Sequence, residues 1–277
     1  MENGIVIPPQ PQPVEQPPVV PPWYGRWMLF AILFGTYFVV QLAVAVPFIF
    51  WLMASNPGAY TDPNSLMEEP LAIWGTLIAS AIGGGATGLL AWAWPRIWGL
   101  VSENKLLTGG LWLAWNRVNR IPLWLVVTIT APLVFLVSAG VTSALGPSEV
   151  DLQLQLFTSP ARQIFASLVV STVVPLAEEL IFRGGLYGAL LPASHYSTPK
   201  WTDHILPILV TTPLFSLVHL LGGFETLPPF IAIGLLSLYL GLLRAITGSV
   251  KASIVGHMTW NLIGAIFITL SFYMPTP

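Results

Sequence analysis

Six side chains of this sequence carry reactive groups in text that is otherwise almost free of charge. Glu178, Glu179 and Arg183 fall within LAEELIFRGG, His219 ends FSLVH, and His257 and Asn261 bracket HMTWN. Each group interrupts an uncharged run of the kind that crosses a bilayer. An ionisable side chain at the centre of such a run costs roughly 2.5–3.5 kcal/mol or more, so it marks a functional site by default. Spacing suggests first roles. Glu179 and Arg183 are four residues apart and share a helix face, so they can form an internal ion pair with a mainly structural role. Glu178 lies about 100° further round and is free to face elsewhere. Phe215 and His219, and then His257 and Asn261, repeat the four-residue spacing. One carboxylate is thus neutralised locally, while the other can act on water as a general base. An imidazole and a carboxamide nearby can bind a developing oxyanion. Hydrolysis fits this set best. Two other readings use the same residues: mutual pairing without chemistry, and a proton or ion pathway. His195 and His204 sit beside Tyr196 and Lys200 in a polar stretch and read as solvated loop residues.

The segments that must position these groups follow from composition. Of 277 residues, only 10 are Lys or Arg and 12 Asp or Glu, so 8% are charged, against about 25% in a soluble domain. The apolar share is 55%, with 12 Trp and 14 Phe, and the net charge is −2. A nucleic-acid partner would need a basic surface that this chain lacks. With no cysteine, disulfides, thiolate metal sites and cysteine nucleophiles are excluded. A helix needs about 20 apolar residues to cross the hydrocarbon layer. Residues 27–53, 71–94, 121–145, 163–191, 205–221, 228–243 and 252–273 qualify, the fifth and sixth at marginal length. The expectation is an all-α polytopic transmembrane bundle of about seven to eight spans around a polar intramembrane cavity. The eighth span would come from splitting a long segment or from an interfacial stretch at 106–116. Residues 1–22 hold eight prolines and read as a flexible or polyproline II tail. Residues 23–150 form the N-terminal helices and 151–277 the part that carries the reactive groups. Gly83, Gly84, Gly85 and Gly88, then Gly184, Gly185 and Gly188, suit close helix approach in lipid. Pro47, Pro132 and Pro175 are expected to kink or break their helices. Arg96, Lys105, Arg117 and Arg120 share one connection, whereas 54–70 and 146–160 contain only acids. The positive-inside rule then places the N-terminus inside and the C-terminus outside, in an integral protein that reads as one of a prokaryotic plasma membrane.

Several hydrolytic chemistries are excluded by text. No His precedes Glu, so the zinc motif HExxH is absent. No GxSxG elbow is present, and Asp62, Asp151 and Asp203 all lie in connections, which excludes an intramembrane aspartate pair. What remains is a glutamate with two histidines and an asparagine. EELIFR at 178–183 resembles the EExxxR signature of the type II CAAX prenyl endopeptidases, within the CAAX protease and bacteriocin-processing (CPBP) family. Phe215 and His219 resemble its second motif, FxxxH, and His257 and Asn261 its third, HxxxN. TGSVKASIVGHMTWN, from Thr247, is similar to the usual approach to that third motif. The resemblance covers about residues 160–270. It implies a membrane endopeptidase acting on a membrane-associated, CAAX-type protein or peptide. Glu178 would be the general base, assisted by His219. His257 and Asn261 would stabilise the oxyanion, and Glu179 and Arg183 would complete the site. A non-catalytic scaffold of the same fold is the main alternative, with a transporter behind it. No cofactor is favoured. Zinc is the candidate if there is one, held by Glu178, His219 and His257, since two His and a carboxylate suffice for a catalytic zinc.

Depth poses a question. Glu178 and His219 each lie about 20 residues from residue 198, whereas His257 follows Lys251 by only six. Either the helices flanking 192–204 project beyond the membrane, or the last helix begins before Lys251.

Overall fold

The computed structural model describes residues 22–55, 70–101, 113–115, 121–146, 159–196, 198–221 and 227–273. The proline tail up to residue 21, most of the interfacial stretch 106–116 and the loop charges at 62–69, 103–105, 117–120 and 149–151 lie outside them. All described secondary structure is helical. Among the described residues, seven helices are long and apolar enough to cross a membrane. They are α1 (Trp23–Ser55), α2 (Pro70–Val101), α3 (Leu123–Leu145), α4 (Pro160–Leu190), α5 (Ile205–Leu221), α6 (Leu227–Thr247) and α7 (Val250–Tyr273). Their outward faces are apolar too: Leu89 and Trp92 on α2, Leu133 and Leu136 on α3, and Leu209 on α5 are all exposed. Lipid accepts such faces, so apolar residues alone do not select the buried side. Close packing and polar groups select it instead.

The core gathers around α4. Leu29, Leu33 and Tyr37 of α1, Ala91 and Trp94 of α2, and Phe215 of α5 pack on Ala177 and the run Leu180–Leu186. A second cluster joins Val126 and Ala131 of α3 to Leu240 and Leu243 of α6 and Ala252 of α7. A third joins Ile73 and Leu77 of α2 to Ala166 of α4 and Ala265 of α7. Each of the three clusters therefore joins helices from both sides of residue 150.

Three glycines of the expected set sit at close backbone approaches. A Cβ on Gly83 would stand 3.0 Å from the Tyr37 carbonyl oxygen, one on Gly84 3.0 Å from the Val173 carbonyl oxygen, and one on Gly185 3.0 Å from Phe30 Cα. These contacts set α2 against α1, and both against α4. Gly85, in contrast, faces open space.

The prolines do not break their helices. α1 runs through Pro47. In α3 and α4 the helix widens just before its proline, at Val126–Thr130 and Val169–Val173, into one turn of π-helix. The Ala131 N–H reaches back five residues to the Val126 carbonyl, and the Val174 N–H likewise to Val169. In α4 this leaves one carbonyl stranded. Val170 would ordinarily receive Val174, now engaged one residue earlier, and the next N–H belongs to Pro175, which has none. The partner it finds belongs to the candidate site.

His204 is a correction to the sequence reading. It is buried rather than solvated, with Nδ1 2.9 Å from the Tyr187 hydroxyl. The connection from α4 to α5 is folded as two short 3₁₀ turns, Ala193–Tyr196 and Trp201–His204. The question of depth is resolved at the other turn. Ser249 and Val250 are both fully buried, and the Val250 N–H donates to the Ala114 carbonyl. The α6–α7 turn thus lies within the protein, and two turns of helix carry His257 to the level of Glu178.

Gly185→Ala is expected to lower stability by about 1–3 kcal/mol through overpacking against the α1 backbone. Gly35→Ala, where nothing stands within 4 Å of the new methyl, is expected to be neutral or stabilising. Thermal midpoints of the two variants in one detergent check the pair, and equal midpoints would contradict the packing described.

Candidate active site

Arg183 organises the site from below. It is fully buried on α4, and Nη1 donates to Glu179 Oε1 at 3.2 Å. Nη2 donates to both the carbonyl and the hydroxyl oxygen of Ser237 on α6, at 2.8 and 2.7 Å. Its guanidinium also lies over the Phe215 ring of α5, 4.6 Å from the centroid. The expected i,i+4 pair therefore forms, and it is tied to two other helices. The same Oε1 of Glu179 receives Nδ1 of His257 on α7 at 3.0 Å. Glu179 is completely buried and His257 nearly so.

Glu178 faces the other way, as its position on the helix requires. Its side chain keeps 13% of its accessible surface, and that of His219 keeps 20%. Oε1 lies 3.8 Å from His219 Nε2, and Oε2 lies 3.8 Å from His257 Nε2. Both imidazoles are anchored through their other nitrogen. His219 Nδ1 donates to the Phe215 carbonyl at 2.8 Å, and His257 Nδ1 donates to Glu179. A ring held this way presents its Nε2 lone pair toward a carboxylate oxygen when neutral, and Nε2–H when it is the imidazolium. Two acceptors that face each other across 3.8 Å make no direct hydrogen bond, but the spacing suits a bridging water. Phe215 is the common floor, its ring centroid 4.4 Å from that of His219 and 5.8 Å from that of His257.

Asn261 lies one turn beyond His257, but its carboxamide is directed at the scaffold. Nδ2 donates to the Val170 carbonyl at 2.8 Å, the acceptor stranded by the π-turn and Pro175. It thereby holds α7 against α4.

Two residues of α1 escaped the sequence reading. Tyr37 is buried and packs in the cluster that holds Ala177 and Leu180 of α4, on either side of the glutamates, and Gln41 follows it one turn later. Neither residue is ionised at neutral pH, so neither stood out in apolar text. Their four-residue spacing was the available signal.

Zinc is the metal whose chemistry the donor types suit. Yet among the described residues no group of three or more His, Asp or Glu is gathered tightly enough to hold a metal ion. Each histidine stands 3.8 Å from its own oxygen of Glu178.

Residues 160–263 match the family model described as type II CAAX prenyl endopeptidase Rce1-like. That stretch runs from the first turn of α4 to just past Asn261, and it includes all six residues singled out in the sequence. The resemblance on their spacing thus has an independent match, and at the level of the family the chemistry is that of a peptidase. Tyr37 and Gln41 lie outside the matched stretch. No curated protein and no solved structure matches the chain.

Glu179→Gln removes the carboxylate paired with a fully buried Arg183, and breaking such a pair costs about 3–5 kcal/mol. A lower thermal midpoint and a smaller folded yield are expected, and an unchanged midpoint would rule out the pairing. Asn261→Ala should cost about 1–3 kcal/mol by stranding the Val170 carbonyl. Denaturation of that variant in mild detergent measures it.

Proposed function

We propose that this chain is a membrane-embedded endopeptidase that hydrolyses a peptide bond of a membrane-associated protein or peptide, using water activated by Glu178. The observation that carries the reading is the pair of 3.8 Å approaches of His219 and His257 to the two oxygens of Glu178. They leave a water-sized position on the side of the site that remains accessible.

In this mechanism the water is held between Glu178 Oε1 and His219 Nε2. Glu178 takes a proton from it as the water oxygen adds to the scissile carbonyl carbon. The carbonyl π pair moves to oxygen and creates an oxyanion. His257 meets that charge through Nε2–H when the ring is the imidazolium, with Nδ1–H still donated to Glu179. Donors fixed before the reaction in a site of low dielectric need little reorganisation as the charge develops. The proton held by Glu178 then passes to the amide nitrogen, the C–N bond breaks, and an amine and a carboxylic acid leave. No step uses a metal. Glu179 and Arg183 are positioning residues that fix the ring of His257. Asn261 also acts on position, by fixing α7 in register with α4, rather than at the oxyanion.

The family match supports a substrate of CAAX type, prenylated at its C-terminus, because such a chain would present its peptide from the bilayer surface. The N-terminal end of α1 and the α4–α5 and α6–α7 turns form one end of the bundle. This end carries Arg26, Lys200, Arg244 and Lys251, and by the positive-inside rule it faces the cytoplasm.

Glu178→Ala is expected to lower kcat/KM by about 10²–10⁴-fold, the usual worth of a general base, or about 3–5 kcal/mol of barrier. Wild-type turnover would exclude Glu178 as the base. Substrates would come from terminal-peptide proteomics on membranes carrying wild-type protein or Glu178→Gln at matched levels. New termini that depend on Glu178 are expected. Identical termini, with both proteins folded, would favour a non-catalytic scaffold.

A further inference from the structure

A second polar site lies at the same end of the bundle and takes no part in the proteolytic reading. It is a cavity of about 400 Å³ whose wall includes Arg244, Lys200, His195, His204, Tyr196 and Trp201. Arg244 is the unusual member. Only 4% of it is exposed, and among the described residues no carboxylate pairs with it. Its Nε donates to the Arg183 carbonyl at 3.3 Å, and the guanidinium lies over the Tyr187 ring at 5.2 Å. The terminal amino groups have no hydrogen-bond acceptor among the described residues. They are the free donors of a nearly buried cation in a cavity wall.

A buried guanidinium without a counter-charge is costly unless a ligand supplies one. Lys200 adds a second cation at the rim. The nearest acid, Asp203, is already engaged: its Oδ2 accepts from His195 Nδ1 and from the Lys200 backbone N–H, both at 3.0 Å. His195 is held by that bond, and His204 by Tyr187. The polar wall is therefore built and fixed, and its net charge is positive. A forked guanidinium with a flanking ammonium matches the tetrahedral oxygens of a phosphate group.

The surroundings favour one source for that phosphate. Trp201, at the mouth, is 54% exposed, and Ile205, Leu206 and Leu209 continue as an exposed apolar strip along α5. Such a strip receives acyl chains, and a half-exposed Trp with a neighbouring Tyr belongs at the headgroup level. Basic pockets between transmembrane helices at that level bind anionic headgroups.

We infer that this cavity is a binding site for the phosphate of an anionic phospholipid, held by Arg244 and Lys200, with the acyl chains along Ile205, Leu206 and Leu209. Because Arg244 is bonded to the backbone of Arg183, an occupied site braces the helix that carries Glu178 and Glu179.

The test uses the full chain in neutral detergent, without a proteolysis readout, so it is independent of the proposed activity. Phosphatidylglycerol, phosphatidylcholine and inorganic phosphate are titrated separately. Thermal midpoint and the lipid adducts retained in native mass spectrometry are read. Phosphatidylglycerol is expected to raise the midpoint and remain bound, and phosphatidylcholine to do neither. Arg244→Gln should weaken phosphatidylglycerol binding about tenfold or more, the worth of one charge-assisted hydrogen bond. Lys200→Gln, on an exposed residue whose loss spares the fold, should weaken it by a smaller factor and keeps the test decisive if Arg244→Gln does not fold. Equal responses to the two lipids, or unchanged binding in Lys200→Gln and in any folded Arg244→Gln, would overturn the site. An equal shift from inorganic phosphate would keep the phosphate site and overturn the lipid as its source.

Discussion

The neutralisation of Arg183 is the constraint on which the rest of the structure depends. A guanidinium with no exposed surface in the middle of an apolar bundle must find acceptors inside the protein. Those it finds come from one turn back on its own helix and from Ser237 on α6. Fulfilling that demand consumes Glu179, and Glu179 in turn fixes His257. The first carboxylate, Glu178, is left with no cation of its own and two imidazoles in front of it. A buried ion pair and a partly accessible carboxylate therefore arise from adjacent residues, separated by the 100° that one residue turns on a helix.

Irregular backbone contributes to this arrangement. The π-turn before Pro175 frees a carbonyl that the helix itself does not satisfy. Asn261 supplies the donor, one turn after His257, so a backbone defect in α4 sets the register of α7. A second π-turn, Leu180–Leu186, follows Glu179 directly and encloses Arg183. Such turns often mark functional sites because they reorient side chains without ending the helix. In water a stranded carbonyl would be solvated. In the bilayer it becomes a positional constraint.

The open and closed sides of the site divide the labour. Glu179, Arg183 and His257 are sealed, so their geometry is fixed by packing on Phe215 and on the close-set α1 and α2. Glu178 and His219 retain accessible surface, which a hydrolytic site needs if water and a peptide are to enter. The basic cavity under Arg244 is continuous with the sealed side through the Arg183 backbone. A ligand there would act on the same helix without touching the reacting groups.

The sequence by itself determined the apolar, membrane-spanning character, a count of about seven to eight spans, and which ionisable side chains interrupt them. Each of these rests on local information: run length, the cost of a charge in an apolar run, and four-residue spacing. The Glu179–Arg183 pair was legible for the same reason. What only the tertiary structure decided depends on which helix faces which. Helices in lipid are apolar all round, so their text carries no face that points to a neighbour. The bond from His257 to Glu179, the anchoring of Arg183 on Ser237, and the packing of Tyr37 beside Ala177 and Leu180 were therefore hidden. So was the depth of the α6–α7 turn, because burial of Ser249 and Val250 depends on residues such as Ala114 that cover them. Asn261 shows the distinction most clearly. Its spacing from His257 was visible, but its partner is a carbonyl stranded 91 residues earlier, and that acceptor exists only because a π-turn meets a proline in the folded chain.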